Sequence, residues 1–323
     1  MSAAFTVEGD VCVLALPGDF ALEGGSLPAA QLAYECQGNP DGPLVCVLGG
    51  ISSGRHIASS PSNPRAGYWE WLVGAERPLD TRTSLVVGID WIGGAGLSSG
   101  PASSGLGWSF PAVSTRDQAR ALHELLPLLG RTRFDTLVGA SFGGMVALAF
   151  AELFPEAVGK LVVISAAAAS DPLASAWRSL QASILELGRA SGQEERALAL
   201  ARGLALTTYR AREDWERRGG PAGVRSYLEA RGAEFVRRFD APSLALLSRA
   251  TDAHVCDPGA IHTAASVAGA DSDLLVPWTS VEALARGLGG PVELHRIVSA
   301  YGHDAFLKEE AQVGAIVRAG GVA

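Results

Sequence analysis

The sequence predicts an α/β protein: a mostly parallel, doubly wound sheet with an inserted helical cap. Three observations support this class. Short, continuous runs of Val, Leu and Ile recur along the chain, which is typical of strands buried on both faces of a parallel sheet. Helical patterns separate the later runs, so crossover units join those strands. A long stretch with helical patterns and without strand signals then interrupts the alternation.

Strand signals occur in order along the chain. Two short ones, at residues 11–16 and 31–35, flank a Gly-rich turn. Compact apolar runs follow, and two further strand signals come after the helical stretch. The runs are residues 44–48, 85–89, 136–140 and 161–164, and the late strands are residues 265–269 and 292–297. The late strands predict that the chain returns to its first core.

Helical signals lie between these strands. Residues 115–118 resemble a capping box before an amphipathic pattern that Gly130 ends, and residues 145–154 predict a helix that Pro155 stops. Four longer patterns lie in the interrupting stretch, at residues 173–187, 194–206, 224–238 and 243–253. We therefore divide the chain into a first core part at residues 1–170, a helical cap at residues 171–257 and a second core part at residues 258–323.

Composition and charge exclude several classes of protein. Of the 323 residues, 48 % are hydrophobic and 19 % are charged, which excludes an intrinsically disordered chain. The net charge of −8 has the wrong sign for binding nucleic acid or anionic lipid. Residues 1–5 lack the basic segment of a secretory signal, and no run reaches the roughly 20 apolar residues that span a bilayer. The sequence predicts a cytoplasmic protein without nucleic-acid or membrane partners.

The cysteines are predicted to be inert thiols, and no metal site is expected. They are scattered without a C-x-x-C pair, and three lie in apolar runs, where cysteine behaves as a small hydrophobic residue. The cysteines are Cys12, Cys36, Cys46 and Cys256.

A G-x-S-x-G pentapeptide at residues 139–143 lies directly between an apolar strand and a helical pattern. This context is typical of a nucleophile elbow, a sharp turn that exposes the serine hydroxyl at the carboxyl end of a strand. We expect Ser141 to be the nucleophile and the backbone N–H of Phe142 to stabilise an oxyanion. The alternative is a tight turn in which Ser141 only caps a helix.

A serine nucleophile needs a base and an acid. His303 follows the last strand in a Gly-containing loop and is the expected base, with His56 as the alternative. Asp273 follows the penultimate strand and is the expected acid, with Asp271 as the fallback. The order Ser141, Asp273, His303 is that of the α/β-hydrolase fold, and the long first gap accommodates the cap. In such a triad the acid orients the histidine that accepts the serine proton.

The loop after the first core strand is expected to supply a second oxyanion donor. It is rich in glycine, and its backbone N–H of Gly50 or Ile51 is the candidate. The alternative is an ordinary tight turn.

Several further segments, spread over nearly the whole chain, are similar to those of a known protein family. They are residues 69–74, 78–81, 93–94, 98–101, 116–117, 139–144, 208–210, 235–240 and 301–307. On these segments the sequence resembles the homoserine O-acetyltransferases, acyltransferases of methionine biosynthesis with the α/β-hydrolase fold. The Thr-Tyr-Arg at residues 208–210 and the Gly-His-Asp-Ala-Phe-Leu at residues 302–307 are fairly specific, because generic esterases lack them.

The resemblance implies a site for the substrate. The family's substrate-binding arginine and tyrosine, seven residues apart on a cap helix, correspond to Arg202 and Tyr209. A guanidinium suits an α-carboxylate, which it binds through two parallel hydrogen bonds. Asp304, next to the expected base, is a candidate for the α-ammonium. The alternative for Arg202 is a solvated charge on the cap.

The resemblance also implies a reaction. An acyl group, with acetyl favoured, would pass from acyl-CoA to the hydroxyl of L-homoserine by a ping-pong mechanism. Acyl-CoA is then a co-substrate, no cofactor is permanently bound, and the cap helices form a homodimer. The alternatives are a succinyl donor, serine or another alcohol as acceptor, a simple esterase or thioesterase, and a non-catalytic binding protein.

Overall fold

The computed structural model describes residues 7–8 and 11–321 of the chain. Residues 1–5, where the sequence predicts no secretory signal, lie outside the described residues. The strands are β1 Val7–Glu8, β2 Val11–Ala15, β3 Asp19–Leu22, β4 Gly25–Pro28, β5 Gln31–Gly38, β6 Leu44–Leu48, β7 Val73–Gly74, β8 Leu79–Asp80, β9 Leu85–Ile89, β10 Phe134–Ala140, β11 Val158–Ile164, β12 Ala264–Ala270 and β13 Val292–Ile297.

A nine-stranded sheet, counted over the described residues, is the scaffold of the molecule. Its order is β1-β2-β5-β9-β6-β10-β11-β12-β13. The strands from β9 to β13 in this order pair in parallel, whereas β1, β2, β5 and β9 pair antiparallel. This confirms the mostly parallel sheet that the sequence predicts. Because parallel strands end at one edge, the residues that follow β10, β12 and β13 come together there.

Helices cover both faces of the sheet and form the cap. Those that pack on the core are α1 Thr115–His123, α2 Leu125–Leu128, α3 Phe142–Leu153, α9 Trp278–Gly287, α10 Ala305–Lys308 and α11 Glu310–Ala319. Those of the cap are α4 Pro172–Ser191, α5 Glu194–Tyr209, α6 Arg212–Glu216, α7 Gly220–Val236 and α8 Ala241–Asp252. Over the described residues, no helix combines the length and the apolar character needed to cross a membrane.

Two hydrophobic cores lie on opposite faces of the sheet. Successive side chains of a strand point to opposite faces, so in β6 Cys46 and Leu48 belong to one core and Val45 and Val47 to the other. Helices α1, α3 and α9 cover the first core. Helix α11 and the segment around Trp69 cover the second. Burial on both faces explains why these strands are continuous apolar runs in the sequence.

The cap is inserted between β11 and β12. Its first helix begins where Asp171 Oδ1 accepts hydrogen bonds from the amides of Leu173 (2.9 Å) and Ala174 (3.1 Å), which satisfies two free N–H groups of α4. An antiparallel bridge between Ala169 and Val255 joins the segment entering the cap to the segment leaving it. The chain therefore leaves the core and returns to it at neighbouring points.

The first predicted helix differs from the structure in two details. Ser114, rather than Thr115, is the N-cap of α1: its Oγ accepts from the amide of Asp117 (3.2 Å), whose carboxylate accepts from the amide of Ser114 (2.8 Å). The predicted single helix ending at Gly130 divides into α1 and α2. Pro127 lies in the second piece and has no N–H for the carbonyl one turn earlier, so the ladder is interrupted.

Candidate active site

Ser141 lies on a strained turn between β10 and α3, which begins at Phe142 rather than at the predicted Met145. Its backbone has φ 55° and ψ −123°, a conformation that side-chain-bearing residues seldom adopt. Neighbouring glycines make the turn possible, because a Cβ on Gly143 would collide with the carbonyl of Leu48. The turn has the geometry of a nucleophile elbow, with the serine at the end of a central strand.

The structure brings Ser141, His303 and Asp273 into one chain of hydrogen bonds. His303 Nε2 lies 2.7 Å from Ser141 Oγ, and its Nδ1 lies 2.7 Å from Asp273 Oδ2. The other carboxylate oxygen of Asp273 accepts from the amides of Leu275 (2.8 Å) and Val276 (3.1 Å). Asp273 and His303 are each 5 % exposed. This carboxylate therefore holds the imidazole with Nε2 directed at the serine oxygen.

The surroundings of His303 set its pKa. Burial works to lower the pKa, because it disfavours the imidazolium, but the charge and hydrogen bond of Asp273 and the charge of Asp304 outweigh it. The pKa of His303 is therefore raised above its usual 6.5. A histidine so placed accepts a proton readily from the serine hydroxyl.

The alternative base and acid lie elsewhere, so neither alternative fits the structure. His56 Nδ1 contacts Glu35 Oε1 at 3.0 Å, and its Nε2 donates to the carbonyl of Arg65 (2.8 Å). Asp271 accepts a hydrogen bond from the amide of Ser299 (3.3 Å). Among the described residues, neither side chain forms a hydrogen bond with Ser141 or His303.

The expected oxyanion donors line the cavity beside Ser141. Phe142 is the first residue of α3, so its N–H has no carbonyl one turn earlier to bond. Gly50 and Ile51 lie in the turn after β6. The carbonyl of Gly50 accepts from the amide of Ser53 (2.9 Å) and from Trp91 Nε1 (3.1 Å), which fixes this turn. A Cβ on Gly50 would lie 4.0 Å from that of Ser141.

The cavity in front of Ser141 is roofed by cap helices and has a volume of about 1050 Å³, its open mouth included. Arg202 and Tyr209, from α5, both line it. The Arg202 guanidinium stacks 4.7 Å from the ring centre of Phe235 and 5.5 Å from that of Tyr209. Over the described ranges Arg202 forms no ion pair with the protein. An unneutralised guanidinium facing a cavity is suited to an anionic ligand.

Tyr209 and Asp304 complete this side of the cavity. Burial raises the pKa of Tyr209, so its hydroxyl stays protonated as a hydrogen-bond donor. Asp304 Oδ2 lies 2.8 Å from Arg210 Nε, an ion pair that the sequence analysis missed. Arg210 directly follows Tyr209, and this adjacency is the only sequence signal for it. Asp304 thus has a cationic partner in the protein as well as a place in the cavity wall.

The sequence analysis also missed cavity residues on the cap, among them Arg178 and Gln181 on α4 and Ser248 on α8. Arg178 Nε donates to Asp252 Oδ1 at 2.6 Å, and a terminal nitrogen donates to Ser170 Oγ. Helical spacing places Arg178 and Gln181 on one face of α4, but spacing alone does not tell a cavity face from a solvated one. In the part of the chain that the structure describes, no group of acidic, His or Cys side chains could hold a metal ion.

The fold and the site together define an α/β hydrolase, and the family with the α/β-hydrolase fold matches residues 43–310. A homoserine O-acetyltransferase structure from Staphylococcus aureus superimposes with a TM-score of 0.84 and 24 % identity, covering 98 % of this chain and 95 % of that one. At this identity the likeness is one of fold.

Two relatives carry the identification further. A homoserine O-succinyltransferase of Xanthomonas campestris pv. campestris is 36 % identical over 297 residues, or 89 % of this chain and 78 % of the relative. A homoserine O-acetyltransferase of Thermus thermophilus is 36 % identical over 333 residues, or 92 % of this chain and 87 % of the relative. The chain belongs to the homoserine O-acyltransferase family. This confirms the resemblance that the sequence motifs indicate.

Proposed function

We propose that this protein transfers an acyl group from acyl-CoA to the hydroxyl of L-homoserine, with Ser141 as the carrier. The observation that supports the proposal most is one cavity holding two features. One is the hydrogen-bonded chain of Ser141, His303 and Asp273. The other is Arg202, a guanidinium without an acidic partner among the described residues. The first activates a nucleophile, and the second suits the carboxylate of an amino-acid acceptor.

Acylation is the first half of the proposed reaction. His303 Nε2 takes the hydroxyl proton of Ser141 while the serine oxygen bonds to the carbonyl carbon of the thioester. The N–H groups of Phe142 and of Gly50 or Ile51 stabilise the negative charge on the carbonyl oxygen. The carbon–sulfur bond then breaks, and the CoA sulfur leaves with the proton that His303 returns. Ser141 now carries the acyl group as an ester.

Transfer to the acceptor is the second half. Arg202 and Tyr209 bind the α-carboxylate of homoserine, and Asp304 binds its α-ammonium. His303 takes the proton of the homoserine hydroxyl, whose oxygen bonds to the acyl carbon. The bond from that carbon to Ser141 breaks, and the serine oxygen regains a proton from His303. The products are O-acyl-homoserine and free enzyme.

A transferase must favour its acceptor over water. With water at about 55 M and an acceptor at roughly 1 mM, the acceptor needs an advantage of roughly 10⁴ to 10⁵, a size that positioning can supply. The cap residues Arg202 and Tyr209 provide such positioning in this proposal. Without it, the same triad would catalyse the esterase or thioesterase reaction.

The finer assignments belong to the same proposal. From the sequence we expect acetyl as the acyl group and homoserine rather than serine as the acceptor, with acyl-CoA as co-substrate and no permanently bound cofactor. The protein is proposed to be cytoplasmic and to form a homodimer through its cap helices. The relatives include both acetyl and succinyl transferases, so both donors are tested.

Mass spectrometry after mixing the enzyme separately with acetyl-CoA and succinyl-CoA tests acyl transfer. We expect the acyl mass on the peptide that contains Ser141, and we expect homoserine to discharge it much faster than water does. Ser141→Ala should form no adduct. The absence of an adduct from either donor, or discharge at the same rate with and without homoserine, would contradict the proposal.

Replacing Arg202 by Ala separates a transferase from an esterase. We expect transfer to homoserine to fall by at least roughly a hundredfold, because the acceptor loses a charged hydrogen bond. Hydrolysis of a neutral ester should persist, because Ser141 and His303 are untouched. Arg196→Ala, an exposed arginine on the same helix, is the matched control. Equal loss of both activities in Arg202→Ala would count against the assigned role.

A further inference from the structure

Two cap helices present polar side chains to the catalytic cavity. Each contributes three residues spaced by four and then three positions, a pattern that places them on one helix face. These residues are Ala174, Arg178 and Gln181 on α4 and Leu244, Ser248 and Thr251 on α8. The wall of the cavity on this side is therefore built from two facing helices and includes several hydrogen-bonding groups.

An ion pair and a shared hydrophobic cluster indicate how these helices lie relative to each other. Arg178 on α4 pairs with Asp252 on α8 at 2.6 Å, while Leu185 and Leu244 belong to one hydrophobic cluster. The helices are therefore antiparallel. Gln181 lies between Arg178 and Leu185 on α4, and Ser248 lies between Leu244 and Asp252 on α8. Both polar residues thus occupy the same part of the cavity wall, one turn from the guanidinium of Arg178.

Gln181 and Ser248 are buried without a protein partner. Gln181 is 5 % exposed and Ser248 is 7 % exposed, and neither side chain forms a hydrogen bond with another of the described residues. Buried polar side chains in folded proteins nearly always have a hydrogen-bond partner. An amide and a hydroxyl that line a cavity in this state point to a ligand that supplies the missing partner.

Arg178, which is paired with Asp252, brings a guanidinium to this part of the cavity. A guanidinium has five N–H donors, and two of its nitrogens are engaged by Asp252 and Ser170, so donors remain for a ligand. Its charge also reaches the catalytic histidine. Burial is the first cause that acts on the pKa of His303, Asp273 and Asp304 raise it, and Arg178 works to lower it. Arg178 therefore lies within electrostatic range of the reacting atoms.

We infer that this cavity is built for an acyl group that ends in a carboxylate, bound by Arg178, Gln181 and Ser248. This inference rests on the acyl transfer proposed above and gives its donor class: the CoA thioester of a dicarboxylic acid, of which succinyl-CoA is the probe. An acetyl group ends in a methyl and leaves Gln181 and Ser248 without a partner. The covalent steps are unchanged, because the distal carboxylate takes part in no bond that forms or breaks.

This assignment separates the two carboxylates of the reaction. Arg202 on α5 binds that of the acceptor, and Arg178 on α4 binds that of the donor. A pocket that must satisfy buried polar groups rejects a ligand without the matching group far more strongly than an apolar pocket rejects one of the wrong size. The sequence favours an acetyl donor, but the wall of the cavity leads us to expect that succinyl-CoA is preferred over acetyl-CoA.

The test measures kcat/KM for succinyl-CoA and for acetyl-CoA at saturating homoserine and compares their ratio among variants. We expect the wild-type ratio to exceed roughly ten, and Gln181→Leu and Ser248→Ala each to lower it by roughly ten- to a hundredfold, as for hydrogen bonds to a charged group. Ser183→Ala, an exposed serine on α4, should leave the ratio unchanged. Two variants on different helices keep the test decisive if one fails to fold.

The outcomes are distinguishable. A wild-type ratio near or below one, with Gln181→Leu and Ser248→Ala leaving it unchanged, overturns the inference while acyl transfer stands. A rise in the KM for homoserine at an unchanged donor ratio also overturns it, because it places the acceptor carboxylate at Gln181. If neither thioester acylates Ser141, both the inference and the proposed function fail.

Discussion

At the scale of single residues, burial and neighbouring charges act in opposite directions on the pKa of His303. Burial lowers its pKa, but Asp273 and Asp304 raise it more, so the pKa lies above the usual 6.5. The neutral imidazole is the form that accepts the serine proton. The rate of acylation should therefore increase as the pH rises through this raised pKa. Below the pKa the rate should fall, because the imidazolium has no free nitrogen to accept the proton.

Asp304→Asn tests this electrostatic balance. One of the charges that raise the pKa of His303 is removed, so we expect the midpoint of the pH–rate profile for acylation to move to lower pH. The measurement is release of p-nitrophenol from p-nitrophenyl acetate, a neutral ester, between about pH 5 and 9. Asp271→Asn, in the exposed loop nearby, is the control and should leave the midpoint in place. An upward shift in Asp304→Asn would contradict the assignment.

The sequence identified some site residues and not others for a physical reason. Ser141, Asp273 and His303 each follow a buried strand, and parallel strands end at one edge, so strand signals alone bring them together. Arg178 and Gln181 lie on a cap helix. A polar face of a helix has the same periodicity whether it meets solvent or lines a cavity. Only the packing of α4 on α8 shows which face is turned inward.

At the scale of elements, the start of α1 carries a measurable part of the stability. Ser114 Oγ and the Asp117 carboxylate cap each other's amides, and Asp117 also accepts from the amide of Glu23 (3.0 Å). Ser114→Ala should lower the free energy of unfolding by about 1 kcal/mol, because the amide of Asp117 loses its partner. Urea unfolding measures the change.

Ser179→Ala is the matched control for the loss of the N-terminal capping residue of α1. Its hydroxyl is exposed in the middle of α4 and donates to the carbonyl of Ser175. The same substitution there should change the free energy of unfolding by less than about 0.5 kcal/mol. If both variants lose the same stability, the capping box of α1 contributes nothing measurable of its own.

Elements were predictable in proportion to their length and burial. The apolar strands of the sheet lie within three residues of their predicted bounds, because a strand buried on both faces needs a continuous apolar run. The hairpin β3–β4 lies inside what the sequence predicts to be a turn, and four residues of alternating burial are too few to show a period. The break between α1 and α2 depends on Pro127, whose missing N–H overrides the continuous apolar pattern of this segment.

At the scale of the whole molecule, the function depends on two parts of the chain meeting. The core supplies Ser141, Asp273 and His303, and the cap supplies Arg202 and the cavity roof. The ion pair from Arg210 to Asp304 joins the cap to the residue next to the catalytic histidine. The proposed acceptor site and the proposed base are thus held in one frame, as the proposed transfer needs if water is to be kept from the acyl group.

The cap also carries an exposed apolar stripe. Leu173, Leu180 and Leu187 on α4 are 56 %, 56 % and 70 % exposed. Their spacing of seven residues places them in one line along a helix of 20 residues, as in the seam of a coiled coil. Two copies of α4 packed against each other would cover both stripes. This is the face through which we propose that the homodimer forms.

Leu180→Asp tests the dimer. Leu180 is the middle residue of the stripe, so a carboxylate there faces its counterpart in the second copy and lies in an apolar contact. We expect a mass near that of one chain by analytical ultracentrifugation, where the wild type should give twice that mass. Val298→Asp, which replaces an exposed apolar residue outside the cap (67 %), should stay dimeric. A wild-type protein that sediments as a monomer at all concentrations, or a Leu180→Asp variant that remains a dimer, would show that α4 is not the interface.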